Sequence, residues 1–359
     1  MSLHASFSRS YAEARQKFRD AAQAAGATLT EFPHPTKRGC ADEELAMDVA
    51  WVGDAEATRF VLVTSAMHGV EGYCGSGAQV AMLGDAALLQ DYADAGVALL
   101  LVHAVNPYGF SHMRRVNEDN VDLNRNFMDF SAPLPQNAPY AEVAPLLLPE
   151  QWPPSGADQA SLMKTVAEKG LPWYQAAVSA GQYQFPDGLF FGGSKASWSN
   201  YTLRRILARY GAGREALRWL DIHTGLGPWG YGEPIYMGPD NAEQIGRARA
   251  IWGSHVTSIY DGSSTSANLS GMAWLAVPET VPTLDYAGIA VEFGTLPVTE
   301  VLEALRGDHW LHLHPEADEG QRNLIRQAMW HAFYGDADDW REGVVEQVRE
   351  AAVKALSGW

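Results

Sequence analysis

Cysteine is nearly absent: only Cys40 and Cys74 occur in 359 residues. Two isolated thiols make neither a disulfide framework nor a cysteine-based zinc module. Basic charge is scarce as well, with 26 Lys and Arg against 43 Asp and Glu, a formal net charge of −17. That field repels a phosphate backbone or an anionic bilayer, so neither nucleic acid nor membrane is expected as a partner. A small anionic substrate remains admissible, because one or two local arginines can hold it. No run of about 18 apolar residues exists, which excludes a spanning helix. The opening stretch MSLHASFSRSYAEARQKF is charged throughout and shows no signal peptide, so a cytoplasmic location is the expectation. Internal repeats are lacking too. What is present is core material: hydrophobic residues make up 47% and charged residues 19% of the chain, which excludes a disordered protein.

Four short runs rich in Val, Leu and Ile read as buried strands: residues 59–65 (RFVLVTS), 97–105 (VALLLVHAV), 218–222 (RWLDI) and 288–292 (GIAVE). Helical patterns cover 8–25, 75–83, 197–210, 242–251, 299–306, 319–333 and 340–356. Continuous apolar strands interspersed with helices predict a sheet covered on both faces. Residues 131–156 (SAPLPQNAPYAEVAPLLLPEQWPPSG) are rich in proline, which disfavours a regular helix or a central strand. They are expected to be an insertion, either a plain connection or the wall of a site, within a single domain spanning 1–359.

Polar residues that carry chemistry gather just after these strands. His68 and Glu71 follow the first, in Met67-His68-Gly69-Val70-Glu71, and residues three apart in a tight turn share one side. An imidazole and a carboxylate are ordinary zinc ligands, and two histidines with one glutamate leave a position open for catalysis. The alternative is a capped loop histidine. His223 ends the third strand, in Asp221-Ile222-His223-Thr224-Gly225, and is the candidate third ligand; Asp221, on the same face of an extended chain, could orient it. The second strand leads into Asn106-Pro107, Arg114-Arg115-Val116-Asn117 and Val121-Asp122-Leu123-Asn124-Arg125-Asn126-Phe127. Arginine can fork onto a carboxylate, although Asp119 and Asp122 also allow a loop of structural ion pairs. Glu292 closes the fourth strand, where an ionised carboxylate is costly without a partner: a general base at a metal site, or half of a salt bridge. Open sheets place ligand sites outside the carboxyl ends of their strands, where all four motifs belong.

The order His-x-x-Glu, then Asn-Pro-x-Gly with Arg-x-Asn and Asp-Leu-Asn-Arg-Asn-Phe, then Asp-x-His-Thr-Gly, then Glu-x-Gly-Thr resembles the zinc carboxypeptidase superfamily. It is similar in particular to its aspartoacylase and succinylglutamate desuccinylase branch and to bacterial murein-peptide amidases. The segment Gly181–Gly193 with Trp198-Ser199 resembles an uncharacterised group within that superfamily. The likeness runs over about residues 58–295. It implies an α/β fold with a zinc-carboxypeptidase-like mixed, mostly parallel sheet and helices on both faces. It further implies one Zn2+ held by His68, Glu71 and His223, and Glu292 as general base. Arg115, rather than its neighbour Arg114, would polarise the scissile carbonyl, and Asn124 and Arg125 would grip a terminal carboxylate. The family's peptidases also place a substrate-binding tyrosine between the last histidine and the glutamate. Tyr260 and Tyr286 lie in that interval without its motif context.

The implied activity is hydrolysis of an amide in a small peptide or an N-acyl amino acid. Alternatives are an esterase or deacylase of another small acyl compound, and a non-catalytic carboxylate-binding protein on the same scaffold. Other local patterns read as structure: Ser161-x-x-Lys164, Ser76 among glycines, a buried Cys74, and the surface histidines His309, His312 and His314. Trp229 is a candidate pocket residue.

Overall fold

The four apolar runs become the centre of one seven-stranded sheet in a computed structural model that describes residues 3–359. The strands are β1 Thr28–Arg38, β2 Glu44–Val52, β3 Arg59–Thr64, β4 Ala98–His103, β5 Ala216–Trp229, β6 Gly232–Tyr236 and β7 Asp285–Gly294, in the order β1-β2-β4-β3-β5-β7-β6. Alternation in β3 shows why both faces must be covered. Val61 and Val63 join one buried cluster with Phe18 and Cys74, while Phe60 and Leu62 join another with Leu203 and Trp219. Helices Tyr11–Ala24, Gly72–Leu83 and Asp338–Lys354 feed the first cluster, and helices Trp198–Gly211 and Ala276–Thr280 the second.

The sheet is mixed, but the parallel part is its centre alone. β4–β3, β3–β5 and β5–β7 are parallel, and β1–β2, β2–β4 and β7–β6 are antiparallel. The antiparallel edge is what the sequence hid. β1 contains Pro33 and Pro35, β6 contains Pro234 in only five residues, and proline is tolerated in edge strands. β2 carries Asp48 in a buried run, and that carboxylate is neutralised by Arg15 and Arg19 at 2.7 and 2.8 Å.

The proline-rich stretch needs a correction. Helix Ala138–Leu147 runs through it, followed by helices Gly156–Lys169 and Leu171–Ser179. Asn137 caps the first by accepting from the Tyr140 amide at 3.0 Å. Pro139 sits in the opening turn, where no N–H is required, while Pro145 lies inside the helix near its end and leaves the Ala141 carbonyl without its helical donor.

Candidate active site

The crossovers leaving β3 and β4 are locked together. Ala66 and Ala104 adopt left-handed backbone with φ of 55° and 69°, and the Asn106 amide donates to the Ala66 carbonyl at 2.8 Å. Non-glycine residues in that region are strained and persist where their surroundings hold them. The next turn, Gly69–Glu71, packs against the segment after β4 so closely that a Cβ on Gly69 would strike the Gly109 backbone. Its amides at Gly69 and Val70 donate to the carbonyls of Arg115 and Arg114, at 3.0 and 2.9 Å. The His-x-x-Glu turn and the arginine loop therefore form one unit.

His68, Glu71 and His223 converge. One ligand atom from each lies within 4.8 Å of the others, and all three residues are buried. Glu71 Oε1 is 2.8 Å from His68 Nδ1, and Oε2 is 2.9 Å from His223 Nδ1. Both imidazoles thus turn Nδ1 inward and are braced behind. His223 Nε2 lies 2.8 Å from Asp221 Oδ2, and His68 Nε2 lies 2.8 Å from Arg115 Nη2 and 3.2 Å from Asp122 Oδ1. Asp221 is fixed in turn by Thr64, which donates to it at 2.5 Å and accepts from the Trp219 indole at 2.7 Å. Two imidazole nitrogens and a carboxylate suit a divalent zinc, and carboxylates behind the histidines orient such ligands. Burial alone would raise the Glu71 carboxyl, but the two imidazoles hold it below its usual range. Burial would lower the His223 imidazole, but Asp221 and Glu71 raise it well above 6.5.

Arg115 and Arg114 separate cleanly. Arg115 donates to Asp122 at 3.0 Å and to Glu71 at 3.1 Å, and its guanidinium lies 5.0 Å from the centre of the Phe190 ring. Phe190 is itself left-handed, with φ of 54°. Arg114 points away and is held by Asp308 at 3.0 and 3.2 Å and by Asn120 at 3.1 Å. Asp122 is the residue the sequence reading left among structural ion pairs. It lies 3.2 Å from His68 Nε2, and it accepts from Arg115 and from the Asn124 amide, the latter at 3.0 Å. Its place inside the Asp-Leu-Asn-Arg run was the available signal.

Arg125 is 2% exposed and has no ion-pair partner within 4 Å among the described residues. Three of its N–H groups meet carbonyls: Nε and Nη2 donate to Ser179, and Nη1 donates to Asn124. A guanidinium has five, so one on each terminal nitrogen stays uncommitted and available to an anion. Burial, with Arg115 nearby, lowers its pKa against the pull of Asp122. The Ala273 amide donates to Asn124 Oδ1 at 2.9 Å, which fixes the amide orientation and leaves the Asn124 NH2 group without a partner among the described residues. Both residues line the cavity that holds His68, His223, Arg115 and Glu292.

Glu292 is half-buried, and its Oε1 accepts from the Leu226 amide at 3.0 Å. Burial, and then the Glu71 charge, raise it to about 8. The remaining candidates lie elsewhere. The Tyr260 hydroxyl donates to the Gly238 carbonyl at 2.9 Å, and the buried Tyr286 hydroxyl has no partner among the described residues; neither residue lines the cavity. Trp229 is 50% exposed and outside it, because β5 runs on past His223 and carries it away. His309 is 1% exposed rather than superficial, and among the described residues the His68–Glu71–His223 group is the one cluster that could hold a metal ion.

This sheet, with a His-Glu-His cluster at its strand ends, has the metallocarboxypeptidase architecture. The structure of thrombin activatable fibrinolysis inhibitor aligns with a TM-score of 0.55 at 10% identity, over 99% of this chain and 75% of that one. Its bovine form, in complex with tick carboxypeptidase inhibitor, aligns at 0.51 and 10%, over 99% and 98%. A metallo-carboxypeptidase from Burkholderia cenocepacia gives 0.40 and 14%, over 89% and 67%. The chain belongs to the family described as protein of unknown function (DUF2817), whose model matches residues 7–347. A comparison with curated proteins finds no match.

Proposed function

We propose that residues 1–359 form a single catalytic unit, a zinc-dependent hydrolase. It cleaves an amide bond in a small substrate bearing a carboxylate, a peptide C-terminus or an N-acyl amino acid. The reading rests on one juxtaposition: the His68–Glu71–His223 cluster shares a cavity with Glu292 and with the buried, unpaired Arg125. A buried cation with no carboxylate at ion-pair distance can take an anion, and a substrate carboxylate supplies it.

His68, Glu71 and His223 would hold the zinc, which when bound supplies Lewis acidity to water and to the substrate carbonyl. Arg125, with the free amide of Asn124, anchors the carboxylate and so fixes where the scissile bond lies. Glu292 takes the proton of the attacking water and delivers it to the leaving nitrogen; a carboxyl raised towards neutrality suits both transfers. Arg115 donates to the carbonyl oxygen as negative charge develops there.

The test is metal analysis of the purified protein, followed by a panel of short peptides and N-acyl amino acids before and after chelation. Stoichiometric zinc and chelator-sensitive hydrolysis are expected. Hydrolysis that survives complete metal removal would refute the reading.

A further inference from the structure

Two apolar walls of the cavity have no role in the chemistry described so far. The first adjoins the carboxylate anchors: the Ala273 amide is bonded to Asn124, and its neighbours Met272 and Trp274 line the cavity with Met237 and Ala290. The second comes from helix Val298–Leu313. Its residues Val298, Val301, Leu302 and Leu305 also line the cavity, joined by Phe333. Spacings of three, four and seven place those four side chains in one helical stripe, and Val301, Leu302 and Leu305 belong to the buried core as well as to the cavity wall.

Glu292 stands between the walls. Ala290, two residues earlier on the same face of β7, belongs to the first. Leu226, whose amide holds the Glu292 carboxylate, lines the cavity beside Phe333. Phe333 closes on the Gly225 turn, where a Cβ would lie 3.0 Å from its ring. A substrate anchored by its carboxylate at Asn124 and Arg125 therefore lays its amino-acid side chain against the first wall. Its acyl group then falls across Glu292 against the second.

The cations are already accounted for. The charged or titratable residues lining the cavity, tyrosine apart, are His68, Arg115, Arg125, His223 and Glu292. Arg115 is engaged by Asp122 and Glu71, and the uncommitted N–H groups of Arg125 serve the anchoring carboxylate. No cation is left for a second acid group, and the overall charge of −17 opposes one.

We infer that the substrate carries a bulky apolar group on each side of the cleaved amide, with the acyl-side group seated on the Val298–Leu305 stripe. This rests on the hydrolase reading above. Hydrolysis breaks the C–N bond; water gives its hydroxyl to the acyl carbon and a proton to the nitrogen, releasing an apolar carboxylic acid and an apolar amino acid. An N-acyl amino acid and a hydrophobic dipeptide share this chemistry.

Binding to zinc-loaded Glu292→Gln protein tests the inference without turnover. Calorimetry compares N-hexanoyl-, N-acetyl- and N-succinyl-phenylalanine, the dipeptide Leu-Phe, and N-acetyl-aspartate. N-hexanoyl-phenylalanine is expected to bind about tenfold or more tighter than the N-acetyl form, from the methylenes buried. N-succinyl-phenylalanine and N-acetyl-aspartate are expected to gain nothing over N-acetyl-phenylalanine. Leu302→Gln, and separately the less buried Val298→Gln, should each shrink the hexanoyl-to-acetyl ratio. Tighter binding of Leu-Phe than of N-hexanoyl-phenylalanine identifies a peptide substrate, and the reverse an acyl amino acid; both orders support the walls. Equal binding of hexanoyl and acetyl forms, tightest binding of an acidic ligand, or no binding at all overturns the inference. Wild-type turnover, assayed in parallel, separates the two claims: selective apolar binding without hydrolysis removes the hydrolase reading and leaves the walls.

Discussion

His223 and Glu292 sit directly opposite one another on neighbouring parallel strands, paired by the register of β5 and β7. One candidate metal ligand and the candidate base thus share a row of the sheet, and a slip of one residue would turn one of them to the other face. Glu292→Gln keeps the side-chain shape and removes the base. The expected result is a fall in kcat of about 100- to 10,000-fold with zinc content unchanged. Turnover at the wild-type rate would remove Glu292 from the mechanism.

Asp221 touches His223 at Nε2, the ring nitrogen turned away from Glu71, so its effect should be on metal affinity. Asp221→Asn is expected to weaken zinc binding about 10- to 100-fold in chelator competition, because the imidazole loses its charged brace. Unchanged affinity would mean that β5 alone orients the ring.

The two cavity arginines should separate kinetically. Arg115→Ala is expected to lower kcat by about 100- to 1,000-fold with little change in KM, as for the loss of an oxyanion donor. Arg125→Ala is expected chiefly to raise KM, and Arg125→Lys to rescue it poorly, since lysine has no fork. The opposite pattern in steady-state kinetics would exchange their roles.

Asp122 is expected to make the metal-free protein acid-sensitive. Burial favours its protonated form, but Arg115, Arg125 and His68 hold the carboxyl well below 3.8. A lowered folded value gives stabilisation that is full above the ordinary aspartate range and is lost as pH falls towards the folded value. Denaturant unfolding in chelator should therefore show a shallower pH dependence for Asp122→Asn below about pH 4 than for wild type. Parallel curves would contradict the ion-pair account.

Arg114 and Asp308 join the arginine loop to helix Val298–Leu313, with side chains 7% and 8% exposed. Asp308→Ala leaves a buried guanidinium unpaired and should cost about 3–5 kcal/mol of unfolding free energy. The double replacement Arg114→Met with Asp308→Leu should recover much of it. A double variant as unstable as the single one would locate the cost in packing instead.

The central strands were legible because β3, β4, β5 and β7 are buried on both faces and so must be continuously apolar. Helix Glu319–Phe333 falls on its expected bounds, carried by its periodicity. The edge strands were not legible: an edge accepts proline, so β1, largely exposed, and β6, buried but only five residues long with Gly232 and Pro234, resemble loops. The helix Ala138–Leu147 was hidden by its two prolines: Pro139 sits in the first turn, where its missing N–H is not required, but Pro145 lies inside the helix and forgoes one backbone hydrogen bond. At the site, His68, Glu71, His223 and Glu292 stood out because each falls at the end of an apolar run or in the turn after one, although β5 and β7 continue past His223 and Glu292.

The sequence by itself determined which residues could do chemistry and at which ends of the strands they fall, because strand burial and turn spacing are local properties. The motif resemblance already favoured Arg115 over Arg114; only the tertiary structure decided that Asp122 lies behind His68, and that an apolar stripe of helix Val298–Leu313, itself part of the buried core, also borders the cavity. Those choices depend on contacts between segments far apart in the chain, and no local pattern encodes which partner a side chain will meet.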